Sequence, residues 1–227
     1  MATTPVTASP VSLKPGQTYT VSASNQSISG SSGQEQVLVP AGVWNTAVDA
    51  LVDKVQLATG IFNTGCYRQN TNLVFTVPGQ GVELILTPSL TGTQVLFADG
   101  SAATYKTTST GISVHYDAIN LPTNASLSLP NGDVKVKGGT GFESVYISQG
   151  LNNIYLDSSV EQVKFGQKLF ALSMSSGKGF LDIMDASGGL VAELALSSGK
   201  SETLVFSNAI GTLGLGASGL GSFTLTD

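Results

Sequence analysis

The chain repeats itself. Residues Gly30 to Leu57 align without a gap with Gly138 to Phe165, at a constant offset of 108. Gly30 and Gly33 fall on Gly138 and Gly141, Glu35 on Glu143, and Val37 on Val145. Asp49 meets Asp157, Val52 meets Val160, Val55 meets Val163, and Asp53 faces Glu161 with its charge kept. A period this long means two copies of one folding unit, and it takes precedence over any local pattern. The echo continues with small shifts, Val95-Leu96-Phe97 against Leu204-Val205-Phe206 and Gly111 to Asp117 against Gly221 to Asp227. Upstream, Ser12-Leu13-Lys14-Pro15-Gly16 aligns with Ser128-Leu129-Pro130-Asn131-Gly132. Module one is read as 1–118 and module two as 119–227, with a turn-rich seam at Asn120-Leu121-Pro122-Thr123-Asn124.

Inside each module, short apolar or alternating runs are separated by glycine turns. Gln17 to Val21 follows Pro15-Gly16, Val37-Leu38-Val39 follows a Gly-Ser cluster, and Val82 to Leu86 follows Pro78-Gly79-Gln80-Gly81. Asp182 to Asp185 breaks at Ala186-Ser187-Gly188-Gly189 and resumes at Leu190. Strand, turn, strand predicts antiparallel hairpins. Helical period is weak, and Ala47 to Leu57 is the best candidate for one short turn. The expected fold is all-β, a tandem duplication of a β-sandwich or β-roll-like module.

Only 11% of the residues are charged, the net charge is −5, and the ten Lys and Arg are scattered singly. Nucleic-acid binding needs a concentrated basic footprint, so that class of partner is excluded. No apolar run approaches a membrane span. The start, Met1 to Val6, has no basic segment followed by an apolar stretch and so does not read as a cleavable signal peptide. Cys66 is the only cysteine, read as a small buried hydrophobe. The only histidine, His115, sits on an alternating strand, read as a packing or surface residue. No nucleophile has an arguable base, and one histidine with one cysteine makes no conventional zinc site. Ser198-Gly199-Lys200-Ser201 fails as a phosphate loop because Leu194 stands where its first glycine belongs. The chain is therefore expected not to be an enzyme.

Gly138-Gly139-Thr140-Gly141-Phe142-Glu143-Ser144-Val145-Tyr146 is one methylene from G-G-x-G-x-D-x-U-x, the nonapeptide of calcium-binding β-roll repeats of the RTX type. Ser29 to Val37 is a degraded copy in module one. With Asp157 to Phe165 and the Leu96-Phe97-Ala98-Asp99-Gly100 strand, the chain resembles modules of bacterial surface and extracellular proteins exported by type I secretion. Val205-Phe206-Ser207-Asn208 departs from that last element. The resemblance implies an extracellular or cell-surface protein, exported by an uncleaved C-terminal signal.

Calcium takes about six to eight oxygens from carboxylates and turn carbonyls. Gly138, Gly139 and Gly141 would turn carbonyls inward, with Glu143 adding a carboxylate and Glu35 as its counterpart. The alternative is a plain glycine turn with a structural carboxylate. Asp157 and Glu161, matched by Asp49 and Asp53, are either turn caps or further calcium ligands. Trp44, with Tyr67 and Tyr105, would serve as aromatic platforms if the partner were a surface glycan. A polar, Pro-bearing segment from Ala2 to Val11 either hangs free or adds as a strand to a neighbour. The leading expectation is a non-catalytic, calcium-dependent structural or adhesive protein that associates with itself. The alternatives are a carbohydrate-binding module or a virion or tail-fibre component.

Overall fold

Residues 10–226 are described by a computed structural model of the chain. The chain divides into two units, Met1–Tyr116 and Asp117–Asp227. Among the described residues, regular structure is all strand apart from two short 3-10 turns, Ile61–Asn63 and Leu169–Ala171.

The first unit opens with β1 (Val11–Ser12), β2 (Thr18–Thr20), β3 (Ser27–Ser29), β4 (Gln36–Val39), β5 (Thr46–Val48) and β6 (Lys54–Leu57). None of these pairs with its neighbour in sequence. β1, β3 and β5 form one parallel ladder, and β2, β4 and β6 form another. Each coil of the chain thus gives one strand to each of two sheets; the register Tyr19↔Val37↔Val55 repeats every 18 residues in one ladder, and Val11↔Ile28↔Val48 steps by 17 and 20 in the other. This is a parallel roll. A parallel pair needs a long crossover, and here the strand in the opposite sheet supplies it.

The coils end in antiparallel strands, β7 (Gly65–Gln69), β8 (Asn72–Val77) and β9 (Gly81–Leu86), of which β9 also lies parallel to β5. β10 (Thr93–Leu96) adds in parallel to β6, β11 (Ala102–Thr108) folds back on β10, and β12 (Gly111–Asn120) adjoins β11.

The second unit repeats this plan. β13 (Ser126–Ser128), β15 (Ser144–Ile147), β17 (Gln162–Phe165) and β21 (Ser201–Phe206) form one parallel ladder, extended antiparallel by β22 (Ala209–Leu215) and β23 (Gly221–Leu225). The end of β12 starts the other ladder, followed by β14 (Val134–Lys137), β16 (Ile154–Leu156) and β20 (Leu190–Ala195). β19 (Phe180–Asp185) and β18 (Leu172–Gly177) complete it antiparallel.

Alternation packs both units. Val55 and Leu57 point in while Gln56 points out, as do Val163 and Phe165 around Lys164. Val37, Val52, Val55, Val145, Val160 and Val163 are all fully buried. At one corner, Asn25 and Asn45 both adopt the left-handed region and stack, Asn45 Nδ2 donating to Asn25 Oδ1 at 3.1 Å. Asp133 and Asn153, 108 residues on, do the same at 2.8 Å. Short amide and carboxylate side chains tolerate that backbone where other residues strain.

Four expectations change. The early strands of each unit are parallel coils rather than hairpins, because alternation shows which face is apolar but not which strand lies alongside. Ala47 to Leu57 holds β5 and β6 with no helical turn. The upstream match shifts: buried Leu13 corresponds to buried Leu121, and buried Val21 to buried Leu129. Cys66 is exposed on β7. Of the segment 2–11, residues 2–9 lie outside the described residues, and Val11 belongs to β1 of its own unit.

Coil-on-coil contact fixes the paired glycines. A Cβ on Gly138 would stand 2.1 Å from the Ser159 carbonyl oxygen, and one on Gly30 would stand 2.4 Å from the Leu51 carbonyl carbon. Backbone cannot yield as a flexible side chain would. Gly138→Ala is expected to destabilise the protein by on the order of 3 kcal/mol in denaturant unfolding. Gly150→Ala, at a positive φ but in open space, should cost only about 1 kcal/mol. Equal losses would count against close coil packing.

Candidate functional site

The acidic residues singled out by the repeat occupy two corners of each unit. At the first, Asp49 Oδ1 accepts the N–H of Gly30 and of Leu51, both at 3.0 Å. Asp157 Oδ1 likewise accepts Gly138 N–H at 3.0 Å and Ser159 N–H at 3.1 Å, together with the Ser159 hydroxyl. Each aspartate caps its own turn and ties it to the preceding coil. The Gly138 carbonyl oxygen accepts the Ser159 hydroxyl at 3.1 Å. Gly139 packs on the Leu121 carbonyl, and Gly141, at φ +138°, on the Asn124 side chain. These glycines serve close approach, and the groups facing Asp49 and Asp157 are donors.

The second corner is a column. In the first unit Gln17, Glu35, Asp53 and Thr93 stack through Gln36 N–H to Gln17 O, Lys54 N–H to Glu35 O and Gln94 N–H to Asp53 O. In the second unit Ala125, Glu143, Glu161 and Glu202 stack through Ser144, Gln162 and Thr203 in the same way. Along each column a carboxylate reaches back one coil. Asp53 Oδ2 accepts Glu35 N–H at 3.0 Å, and Glu161 Oε2 accepts Glu143 N–H at 2.8 Å. Glu143 Oε1 then accepts Asn124 N–H at 2.8 Å.

The two columns differ in how their acids are satisfied. Glu35 Oε1 receives the Ser31 hydroxyl, Gly33 N–H and Gly16 N–H. Led by the Ser31 hydroxyl, these donors hold its carboxyl below the usual carboxylate range. It lines a cleft of about 330 Å³ with Asp53, Lys54 and Gln94. Glu143 is fully buried, and its Oε2 has no hydrogen-bond partner. Glu202 is 4% exposed, and burial, with Asp157 and Glu161 adding repulsion, pushes its carboxyl up to about 8 against a partial offset from Lys200. No group of three His, Cys, Asp or Glu among the described residues converges as a metal site.

Glu202 was missed because Thr93 holds its place in the first unit, so the repeat gave no acidic match. The signal was the period of β21, whose inward positions are Glu202, Leu204 and Phe206. Also unread was the shared role of Asp99 and Asn208. Asp99 Oδ2 accepts Ile61 N–H and Asn208 Oδ1 accepts Leu169 N–H, each at 2.8 Å, fixing the start of the 3-10 turn. The departure at Asn208 therefore keeps the geometry. Tyr105 is a core residue, edge-to-face with Phe75 at 5.3 Å, and is no platform. Trp44 is half-buried and Tyr67 exposed.

The sequence matches no family model and no curated protein. Among solved structures, the extracellular lipase LipA from Serratia marcescens is similar at 10% identity and a TM-score of 0.25, over 87% of this chain. The chain spans 38% of that protein's length. A likeness that loose carries no inference. Among the described residues no helix is long and apolar enough to cross a membrane.

Glu202 makes stability depend on pH. Its carboxyl stays protonated to higher pH in the folded chain than in the unfolded one, so folding takes up a proton between about pH 4.5 and 8. That contribution is complete below the unfolded value and is lost as pH rises through the folded value. In chelator, the melting temperature is expected to fall from pH 5 to about pH 9, and Glu202→Gln should flatten the fall. A profile unchanged by the substitution would contradict the burial of an acid here.

Proposed function

We propose that the chain is a non-catalytic structural protein of the bacterial surface or extracellular space that associates with copies of itself through strand edges. The observation that carries this reading is the first rung of unit one. Among the described residues, β1 and β2 each end a sheet, with a partner on one side only. An edge with free backbone donors and acceptors is a template for another chain. Contact between this edge and a different edge of a second copy does not close on itself, so it builds rings or filaments. The extracellular setting rests on the sequence resemblance.

Calcium response belongs to the same reading and is assigned to the column of unit two. Glu143 Oε2 has no hydrogen-bond partner, and Glu202 is buried beside the repelling Asp157 and Glu161, conditions that a hard cation relieves. The glycine corner fits calcium poorly, since donors already face its carboxylates and the Gly138 carbonyl is engaged.

Val21 N–H bonds Leu38 O on β4, so by alternation Thr20 N–H points to the open side. Thr20→Pro is expected to keep the protein monomeric by light scattering at concentrations where the wild type assembles, with little change in melting temperature. A wild type that stays monomeric at high concentration with calcium overturns the assembly reading.

Millimolar calcium is expected to raise the melting temperature by several degrees over chelator, a ligand at a hundredfold excess over its dissociation constant being worth about 2.7 kcal/mol. Glu202→Gln or Glu143→Gln should shrink that rise more than Glu35→Gln does. Superimposable melts of the wild type would remove calcium from the reading.

A further inference from the structure

Both units expose a phenylalanine at the same place. Phe62 is 45% exposed and Phe170 is 77% exposed, each at the centre of its unit's 3-10 turn and 108 residues apart. Leaving a large ring in water is unfavourable unless something covers it. The turn that carries Phe62 is held tightly. Ile61 N–H is capped by Asp99, Asn63 N–H bonds Gly60 O at 3.0 Å, and the Thr64 hydroxyl bonds Gly60 O at 2.9 Å. The ring is therefore presented by a fixed backbone rather than by a loose loop.

Beside it lies an open cleft of about 550 Å³, within the range of small-molecule sites. Its lining includes Thr59, Gly60, Phe62, Asn63, Pro78 and Gln80, and no charged side chain. The acids nearest this wall are engaged by protein donors. Asp99 spends its oxygens on Ile61 N–H and Ser101 N–H. Glu83 is buried and accepts the Ala58 N–H at 3.2 Å and the Thr59 side chain, and burial raises its carboxyl toward the neutral form against these donors. One aromatic face and two side-chain amides, with no charged side chain in the lining, suit a ligand that is neutral, rich in hydroxyl groups and flat on one apolar side.

We infer that the Phe62 cleft of the first unit binds a neutral saccharide, with a pyranose ring stacked on Phe62 and its hydroxyls hydrogen-bonded by Asn63 and Gln80. The second unit does not share the site. Lys168 stands where the first unit has Gly60, and its ammonium lies 5.5 Å from the centroid of the Phe170 ring. That face is already taken by a cation. Saccharide capture and strand-edge association use different surfaces of the first unit, so one can fail without the other.

The test titrates the full chain with maltohexaose, cellohexaose, laminarihexaose and chitohexaose, following backbone amide shifts by NMR. At least one is expected to move the amides of residues 59–63 and 80 with millimolar affinity, a binding free energy of about −4 kcal/mol. Phe62→Ala should weaken that binding by about tenfold or more. Phe62→Trp should preserve it, and Phe170→Ala should leave it unchanged. Asn63→Ala and Gln80→Ala should each weaken it several-fold. The ring is exposed, so Phe62→Ala should melt with the wild type. No shift at these residues from any of the four sugars at about 10 mM overturns the inference, as does binding that survives Phe62→Ala.

Discussion

Everything in this molecule depends on coils of the chain lying directly on one another at the spacing of a parallel β-ladder, about 4.8 Å. That spacing leaves no room for a Cβ where turns cross, which is why Gly30 and Gly138 are glycine. It also brings turn N–H groups within reach of side chains one coil away. Asp49, Asp53, Asp157 and Glu161 accept those N–H groups across coils. A buried backbone donor left unpaired is costly, so each acid both satisfies a donor and pins the coil register. The valine columns supply the apolar drive, and the acids decide which residue sits above which.

Much of this was legible in the sequence for a physical reason. A duplicated unit has to preserve its packing glycines, its inward valines and its corner acids together, so the constant offset exposed all three classes at once. The period of two in Val163-Lys164-Phe165 likewise gave strand and face. What did not show was strand partnership. A coil of about 18 residues pairs each strand with the next but one, and alternation is the same for a hairpin and a roll. The role of the acids was half visible. Their positions were found, while their partners, backbone donors of the neighbouring coil, follow only once the coils are stacked.

The two units keep one framework and differ at the acid column and at the aromatic turn. The column of the first unit ends in Thr93 and surrounds Glu35 with donors, while that of the second ends in buried Glu202 and leaves Glu143 Oε2 unpaired. Conversely, the aromatic turn of the first unit borders an uncharged cleft, while at its counterpart the Lys168 ammonium lies 5.5 Å from the centroid of the exposed Phe170 ring. Duplication followed by divergence at the corners gives one chain two surfaces of different chemistry on the same scaffold. Asp99 and Asn208 show the limit of that divergence, since the residue changed and the capping oxygen stayed.

Native-state hydrogen exchange on the backbone tests the register-pinning account most directly. The N–H groups of Gly30, Glu35, Gly138 and Glu143 lie in turns, yet each donates to a carboxylate of the next coil. They are expected to exchange as slowly as the strand amides of β4 and β15, and Asp53→Ala should release Glu35 N–H selectively. Exchange of all four at the rate of open loops would contradict it.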